Sequence, residues 1–342
     1  GNDVIDGGSG TNRLYADAGD DTITSAGTND VVDAGEGNNT IVISGNGGRY
    51  SSGSGDDSYT LKDNASGDIS IDYVDGDKSI VTEEGFNGRL HIHSHSGDNG
   101  LGEVTLDIIS GQLRDSSLGN GVDIINIKEN GTTDGHIYTG GGDDVLNIDS
   151  DIHYTYWHLG EGDDTASISD NFGGYGWGGI IFGESGDDTI TFLGQGANEG
   201  EIRGGDGNDI IDLSERLSTE DNYYWLASWG GRGDDNLIGN DYNDRFYGEE
   251  GDDTIDAGNG DNHIQGDQGN DYLESGTGVD QLYGGDGDDI LKAGGGNDII
   301  YGRNGSSGKG DDGSIDTAVF SGLSTDYKLS RATDTNFEYV YY

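Results

Sequence analysis

Residues 283–302 read YGGDGDDILKAGGGNDIIYG. Asp289 and Asp298 stand nine residues apart, each behind a glycine-rich run and each followed two residues on by an aliphatic, Leu291 and Ile300. The unit is G-G-x-G-x-D-x-U-x, where U is large and apolar. Its sixth position falls on Asp235, Asp244, Asp253, Asn262, Asp271, Asp280, Asp289 and Asp298 without a slip. Its eighth falls on Leu237, Phe246, Ile255, Ile264, Leu273, Leu282, Leu291 and Ile300, all apolar. A fixed period of this kind marks a repeat architecture, and it takes precedence over any local reading.

The same frame opens the chain. Its sixth positions are Asp3, Asn12, Asp21, Asp30, Asn39, a lapse at Gly48, then Asp57. Asn and Gly replace carboxylates there, so weaker ion sites are expected. In the middle the motif recurs at Asp123, Asp144, Asp164, Asp188, Asp209 and Asp235, with spacings of 21, 20, 24, 21 and 26 residues. Two nonapeptides make 18, so each middle coil keeps one glycine-aspartate turn and replaces the opposite one with a longer loop. The segments HIYTG, YWHLG, IIFGE and EIRGG read as the second strand of each coil. Residues 63–118 alternate like strands but lack the loop motif. They are expected to form irregular β coils without ion sites.

Composition sets the outer limits. Of 342 residues 67 are Gly, and there is no Pro, Cys or Met. Asp plus Glu number 67 against 16 Lys plus Arg, a formal net charge of −51. Such a chain repels itself when compact, and with 30% apolar residues it stays disordered unless something neutralises it. The charge disfavours nucleic acid and anionic membrane surfaces. No apolar run reaches the roughly 20 residues that span a bilayer. The chain opens in mid-motif, at Gly1-Asn2-Asp3, and is expected to be a piece of a longer protein or a processed form.

These residues resemble the RTX family (repeats in toxin, the hemolysin-type calcium-binding nonapeptide repeat) of secreted bacterial proteins, whose nonapeptides wind into a parallel β-roll. The resemblance is close over 1–62 and 229–305 and runs at one motif per coil over 119–228. DTAVFSGLSTDYKLS at 316–330 also looks like the stretch that commonly follows such repeats. The resemblance implies an all-β, right-handed parallel β-roll or β-helix solenoid that binds multiple Ca²⁺ ions. It implies export by type I secretion in an unfolded state and folding outside the cell.

The physical chemistry agrees. Glycines permit φ > 0 and let carbonyls converge, Asp adds a hard anionic oxygen, and calcium takes six to eight oxygens at about 2.3–2.6 Å. One loop cannot supply them, but loops stacked about 4.8 Å apart can. The expected metal residues are Asp3, Asp21, Asp30, Asp57, Asp123, Gly142, Asp144, Gly162, Asp164, Gly186, Asp188, Gly207, Asp209, Gly233, Asp235, Asp244, Gly251, Asp253, Asn262, Gly269, Asp271, Gly278, Asp280, Gly287, Asp289, Gly296 and Asp298. Asp235, Asp253, Asp271 and Asp289 share one side, continued backward through Asp209, Asp188, Asp164, Asp144 and Asp123. Asp244, Asn262, Asp280 and Asp298 share the other.

The expected organisation is a two-motif roll over 1–62, irregular coils over 63–118, and wider coils with aromatic loops over 119–228. A regular roll follows over 229–313, then a flanking segment over 314–342. His91, His93 and His95 share one strand face, read as solvated, with a zinc or copper site as the alternative. The aromatics of the middle, with Trp157, Trp177, Trp225 and Trp229, read as core caps, a subunit contact or a glycan platform. There is no H-E-x-x-H and no G-x-S-x-G, so no enzyme activity is expected. The function expected is a secreted calcium-folded rod in a surface layer, extracellular filament or adhesin, with self-association. The alternative is a non-catalytic module of a secreted polysaccharide-modifying enzyme or lipase, with a glycan at the aromatic loops.

Overall fold

The computed structural model describes residues 1–94, 102–150, 152–169, 179–194, 200–216, 226–302 and 315–319. Among them every regular element is a strand, and the strands pair in parallel as a β-solenoid. The chain forms two compact units, Gly1–Phe182 and Gly183–Tyr342.

In the first unit each coil contributes one strand to each of two rows. One row runs Val4–Asp6, Thr22–Ser25, Thr40–Ile43, Asp57–Leu61 and Lys78–Thr82. The facing row runs Arg13–Tyr15, Thr28–Asp33, Asn46–Ser52, Ser66–Tyr73 and Asn87–Ser94. The described residues of the stretch 63–118 therefore continue the solenoid. Two long strands, Val104–Gly119 and Ile124–Gly141, each serve both rows by bending through a register shift.

In the second unit one row runs Thr189–Phe192, Ile210–Asp212, Asn236–Asn240, Thr254–Gly258, Tyr272–Glu274, Ile290–Lys292 and Thr317–Val319. The facing row runs Gly200–Asp206, Leu226–Arg232, Arg245–Glu250, His263–Gln268, Gln281–Asp286 and Ile299–Tyr301. The first of these rows extends past residue 314, so the segment expected to flank the roll supplies one more strand to it.

The period-2 alternation of a strand decides what lies inside. In Thr254–Ile255–Asp256 the outer two are exposed and Ile255 is fully buried. The eighth-position residues Leu237, Phe246, Ile264, Leu273, Leu282 and Leu291 are likewise fully buried, and Ile300 is half-buried. Trp157 is fully buried too, so one aromatic of the wide coils is a core residue. Each coil exposes only its edges to its neighbours, so the coils stabilise each other by stacking.

Candidate metal centre

The turn between strands is set by a glycine that no other residue can replace. Gly269 has φ +140°, and a Cβ there would lie 1.7 Å from the carbonyl oxygen of Gly251, one coil back. The fourth-position glycines Gly142, Gly162, Gly186, Gly207, Gly233, Gly251, Gly278 and Gly287 share a φ between +112° and +150°. Gly296 does not share that φ, but a Cβ on it would meet the Gly278 carbonyl at 1.6 Å. Carbonyls thus stack within the turn with no side chain between them.

The sixth-position carboxylate follows. In the second unit Asp188 N–H donates to Asp209 Oδ1 (2.8 Å), Asp209 to Asp235 (2.7 Å), Asp235 to Asp253 (2.8 Å), Asp253 to Asp271 (2.9 Å) and Asp271 to Asp289 (2.9 Å). Asp289 in turn donates to Asp316 Oδ1 at 3.3 Å. The first unit repeats this from Asp3 to Asp21 (2.6 Å), Asp21 to Asn39 (3.0 Å) and Asn39 to Asp57 (2.9 Å). It does so again from Asp123 to Asp144 and from Asp144 to Asp164, both at 2.7 Å. On the opposite side of the second unit Asp244 donates to Asn262 (2.9 Å), Asn262 to Asp280 (2.8 Å) and Asp280 to Asp298 (3.1 Å).

One oxygen of each Asp is therefore used by the next amide. The other is not. Oδ2 of Asp21, Asp123, Asp209, Asp235, Asp253, Asp271 and Asp289 is buried and makes no hydrogen bond. It rests where the first-position glycine has no side chain: a Cβ on Gly230, Gly248, Gly266 or Gly284 would lie 2.1–2.2 Å from the Oδ2 of Asp235, Asp253, Asp271 or Asp289. Burial pushes the Asp123, Asp235 and Asp289 carboxyls up to about 8, those of Asp164, Asp253 and Asp271 up to about 7, and those of Asp144 and Asp209 up to about 6. Burial raises Asp280 and the half-buried Asp298 as well. A row of desolvated carboxyls, in which Asp123, Asp209, Asp235, Asp253, Asp271 and Asp289 each keep an Oδ2 without a hydrogen bond, calls for a cation.

Departures from the pattern show where that cation belongs. Asn39 turns its amide nitrogen to the carbonyls of Gly37 (2.9 Å) and Gly35 (3.3 Å), and Asn262 does so to Gly258 (3.2 Å). The amide hydrogens thus point into the space that an Asp would share with an ion. Asp244 is neutralised by the buried Arg216, 3.1 Å from its Oδ1, although burial still lifts its carboxyl to about 6. Asp57 is 3.2 Å from the buried Lys78 Nζ.

Asp30 stands apart from the expected ligands. Its Oδ2 accepts from Ser25 Oγ (2.6 Å) and Gly27 N–H (3.1 Å), and its Oδ1 from Asn12 N–H (2.8 Å). These bonds outweigh burial and lower its carboxyl, the reverse of Asp235, Asp253, Asp271 and Asp289. Ser25 is held in turn by Tyr50 Oη, 3.0 Å away, beside the lapse at Gly48. Asp3 is exposed.

Sequence reasoning missed two features. Asp316 is a sixth-position residue of a further coil, and its signal was Ala318 two residues on. The fifth position forms a second, exposed ladder of opposite sense. Asn208 N–H donates back to Asp187 Oδ1 (2.8 Å), Asp234 to Asn208 (2.8 Å), Asp252 to Asp234 (2.9 Å), Asn270 to Asp252 (2.7 Å) and Asp288 to Asn270 (2.9 Å). The doublets Asp234-Asp235, Asp252-Asp253 and Asp288-Asp289 were its trace.

The family comparison agrees with this geometry. The profile of the RTX calcium-binding nonapeptide repeat (4 copies) matches residues 1–23, 6–41, 24–49, 201–215, 229–264, 247–282, 257–291 and 275–307. These stretches are RTX calcium-binding nonapeptide repeats. The ion is calcium, and the repeats take several of them. No curated protein matches the chain. Among solved structures it is similar to a hyperactive, Ca²⁺-dependent, β-helical antifreeze protein from an Antarctic bacterium, at 20% identity, TM-score 0.45, and 85% and 83% coverage of this chain and that one.

Calcium fits the RTX loops. Among the described residues no three carboxylate or imidazole groups converge. An ion must therefore draw most of its ligands from carbonyls, as a hard cation does. The donors on offer are the sixth-position Oδ2 and the glycine carbonyls that Asn39 and Asn262 already address. The histidine strand offers less. His91 and His93 rings stack at 6.5 Å, and His95 lies outside the described residues, as do Trp177 and Trp225.

Proposed function

We propose that this chain is an extracellular structural element, exported unfolded by type I secretion and folded by calcium outside the cell into part of a surface layer, filament or adhesin. The observation that carries this reading is the row of buried sixth-position carboxylates with an unused Oδ2. Such a row cannot be compact and ionised without cations, so folding is coupled to calcium. Calcium is scarce inside cells and millimolar outside, where weak sites of this kind fill. The ligands we assign are the carboxylates of Asp21, Asp123, Asp144, Asp164, Asp188, Asp209, Asp235, Asp253, Asp271, Asp280, Asp289 and Asp298 with their glycine carbonyls. The outward faces are parallel sheet, whose strand edges would pair on self-association.

One observation favours the alternative of a glycan-binding module in a secreted enzyme. Trp229 faces outward, stacked 5.3 Å from Tyr247 with the Arg203 guanidinium 4.9 Å over its ring. Light scattering after gel filtration, in calcium and then in chelator, tests both. Calcium-dependent oligomers support the structural assembly. A compact calcium-bound monomer that binds polysaccharide, and loses it on Trp229→Ala, supports the module. An unchanged hydrodynamic size in the two buffers would sink the calcium-coupled folding common to both.

A further inference from the structure

Lys78 lies in register with Asp57 on one side and Val104 on the other, so it stands in the sixth position of its coil. Its side chain is fully buried. The ammonium donates to the carbonyls of Gly55 (2.6 Å), Gly76 (3.0 Å) and Asp75, and lies 3.2 Å from Asp57 Oδ2. One carboxylate and three carbonyls around a buried positive charge form an oxygen cage of the kind a hard cation takes. The carbonyls of Gly55 and Gly76 are fourth-position carbonyls, equivalent to that of Gly37 addressed by Asn39. In the next coil Val104 carries no charge at this position.

The opposite turns of the same coils are filled by side chains. The Phe86 ring is buried where Cβ atoms on Gly88 and Gly111 would collide with it. Ser110 Oγ donates to the carbonyls of Glu83 (2.9 Å) and Phe86 (3.0 Å) and accepts Gly85 N–H (3.0 Å). Thr82 Oγ1 donates to the Ser110 carbonyl at 2.9 Å. Side chains satisfy here the backbone groups that the glycine-aspartate loops leave for metal.

We propose that Lys78 is a built-in cation that replaces one calcium ion, and that the strands of residues 57–94 and 104–119 fold without calcium and seed the calcium-loaded coils beside them. The proposal rests on the calcium reading of the rows. A tethered ammonium is present at any calcium concentration, whereas an ion must be drawn from solution. Nucleation is the unfavourable step in a stacked array, so one ion-independent block lets coils add to a formed edge.

Hydrogen exchange by mass spectrometry on the whole chain tests this. In chelator, peptides from 57–94 and 104–119 should exchange about a hundredfold or more slowly than those from 235–289. Equal, fast exchange of both regions in chelator overturns the proposal. Equal protection of both regions in either buffer overturns the calcium reading, and the proposal with it. Lys78→Asp should abolish protection of 57–94 in chelator and raise the calcium bound per chain by one ion, measured by atomic emission. A natively folded K78D with an unchanged calcium count refutes the replacement. Lys78→Asn, which copies Asn39, should fold without adding an ion and serves as the control if K78D fails to fold; a rise of one ion in K78N would also refute it.

Discussion

Replacing one buried ligand should stabilise the metal-free chain. Asp271 is fully buried, accepts Asp253 N–H at 2.9 Å through Oδ1, and holds Oδ2 against Gly266 with no donor. Burial lifts its carboxyl from 3.8 to about 7, against the pull of the Asp253 amide and helped by the charges of Asp252 and Asp267. The unfolded chain gives up this proton near pH 4 and the folded chain only near pH 7. Metal-free stability is therefore full below pH 4 and falls as pH rises through that window. At 1.36 kcal/mol per unit, the loss at pH 7.5 is about 4 kcal/mol. Asp271→Asn escapes this loss. Its Oδ1 still accepts the Asp253 amide, and its amide nitrogen can donate to loop carbonyls as Asn262 does to Gly258. In chelator at pH 7.5 D271N should be more stable than the parent by up to about 4 kcal/mol, a gap that closes toward pH 4. In calcium it should be less stable, because an anionic ligand is gone. Exchange of the Asp253 and Tyr272 amides reads the local effect, which suits an array that need not melt as one unit. Equal destabilisation in chelator and in calcium would refute the reasoning.

Calcium entering coils already folded must displace protons from Asp123, Asp235 and Asp289, whose carboxyls burial pushes up to about 8. Half-saturating calcium should therefore rise as pH falls from about 8 to 6, and calorimetry in buffers of different ionisation enthalpy should show proton release. Gly269→Ala puts a Cβ 1.7 Å from the Gly251 carbonyl at φ +140°, and should cost on the order of 3 kcal/mol or more in calcium by thermal melting. Gly295→Ala, with nothing within 4 Å of its added Cβ, should stay within about 0.5 kcal/mol. Leu282→Ala empties a fully buried eighth position and should cost about 2–5 kcal/mol in urea unfolding with calcium present.

The period made the fold readable. A carboxylate two residues before an apolar residue, nine residues apart, set strand, face and row from Asp235 to Asp298, and the structure keeps that frame. What stayed hidden depends on neighbours far along the chain. Asp30 and Asp21 look alike in sequence, yet Ser25, Gly27 and Asn12 satisfy Asp30 on every side. Lys78 sits in YVDGDKSI, where Gly76 and Ile80 keep the fourth and eighth positions but Lys replaces the Asp, and its register with Asp57 fixes its row. Asp316 stands 27 residues after Asp289, three nonapeptide periods, so counting by nine assigns it to the row of Asp298, whereas the structure pairs it with Asp289. The long strands Val104–Gly119 and Ile124–Gly141 bend at register shifts instead of glycine loops, so the loop signal vanishes while the coil persists.

The two side-chain ladders explain why the repeat carries a doublet of acids. In the inner ladder each amide donates forward, to the Oδ1 of the next coil; in the outer ladder it donates backward, to the fifth-position side chain of the coil before. Each turn is thus tied to both neighbours, and neither tie uses the inner Oδ2. With Asp at both positions, as in Asp234-Asp235, Asp252-Asp253 and Asp288-Asp289, a turn carries two negative charges. One doubly charged calcium ion per loop would cancel them. Where Asn takes the fifth position, at Asn208 and Asn270, the ladder bond survives because an amide oxygen accepts as well as a carboxylate. Hydrogen bonding alone therefore does not require Asp there. The inner carboxylate is the one a cation meets, as the buried Lys78 ammonium does at 3.2 Å from Asp57 Oδ2.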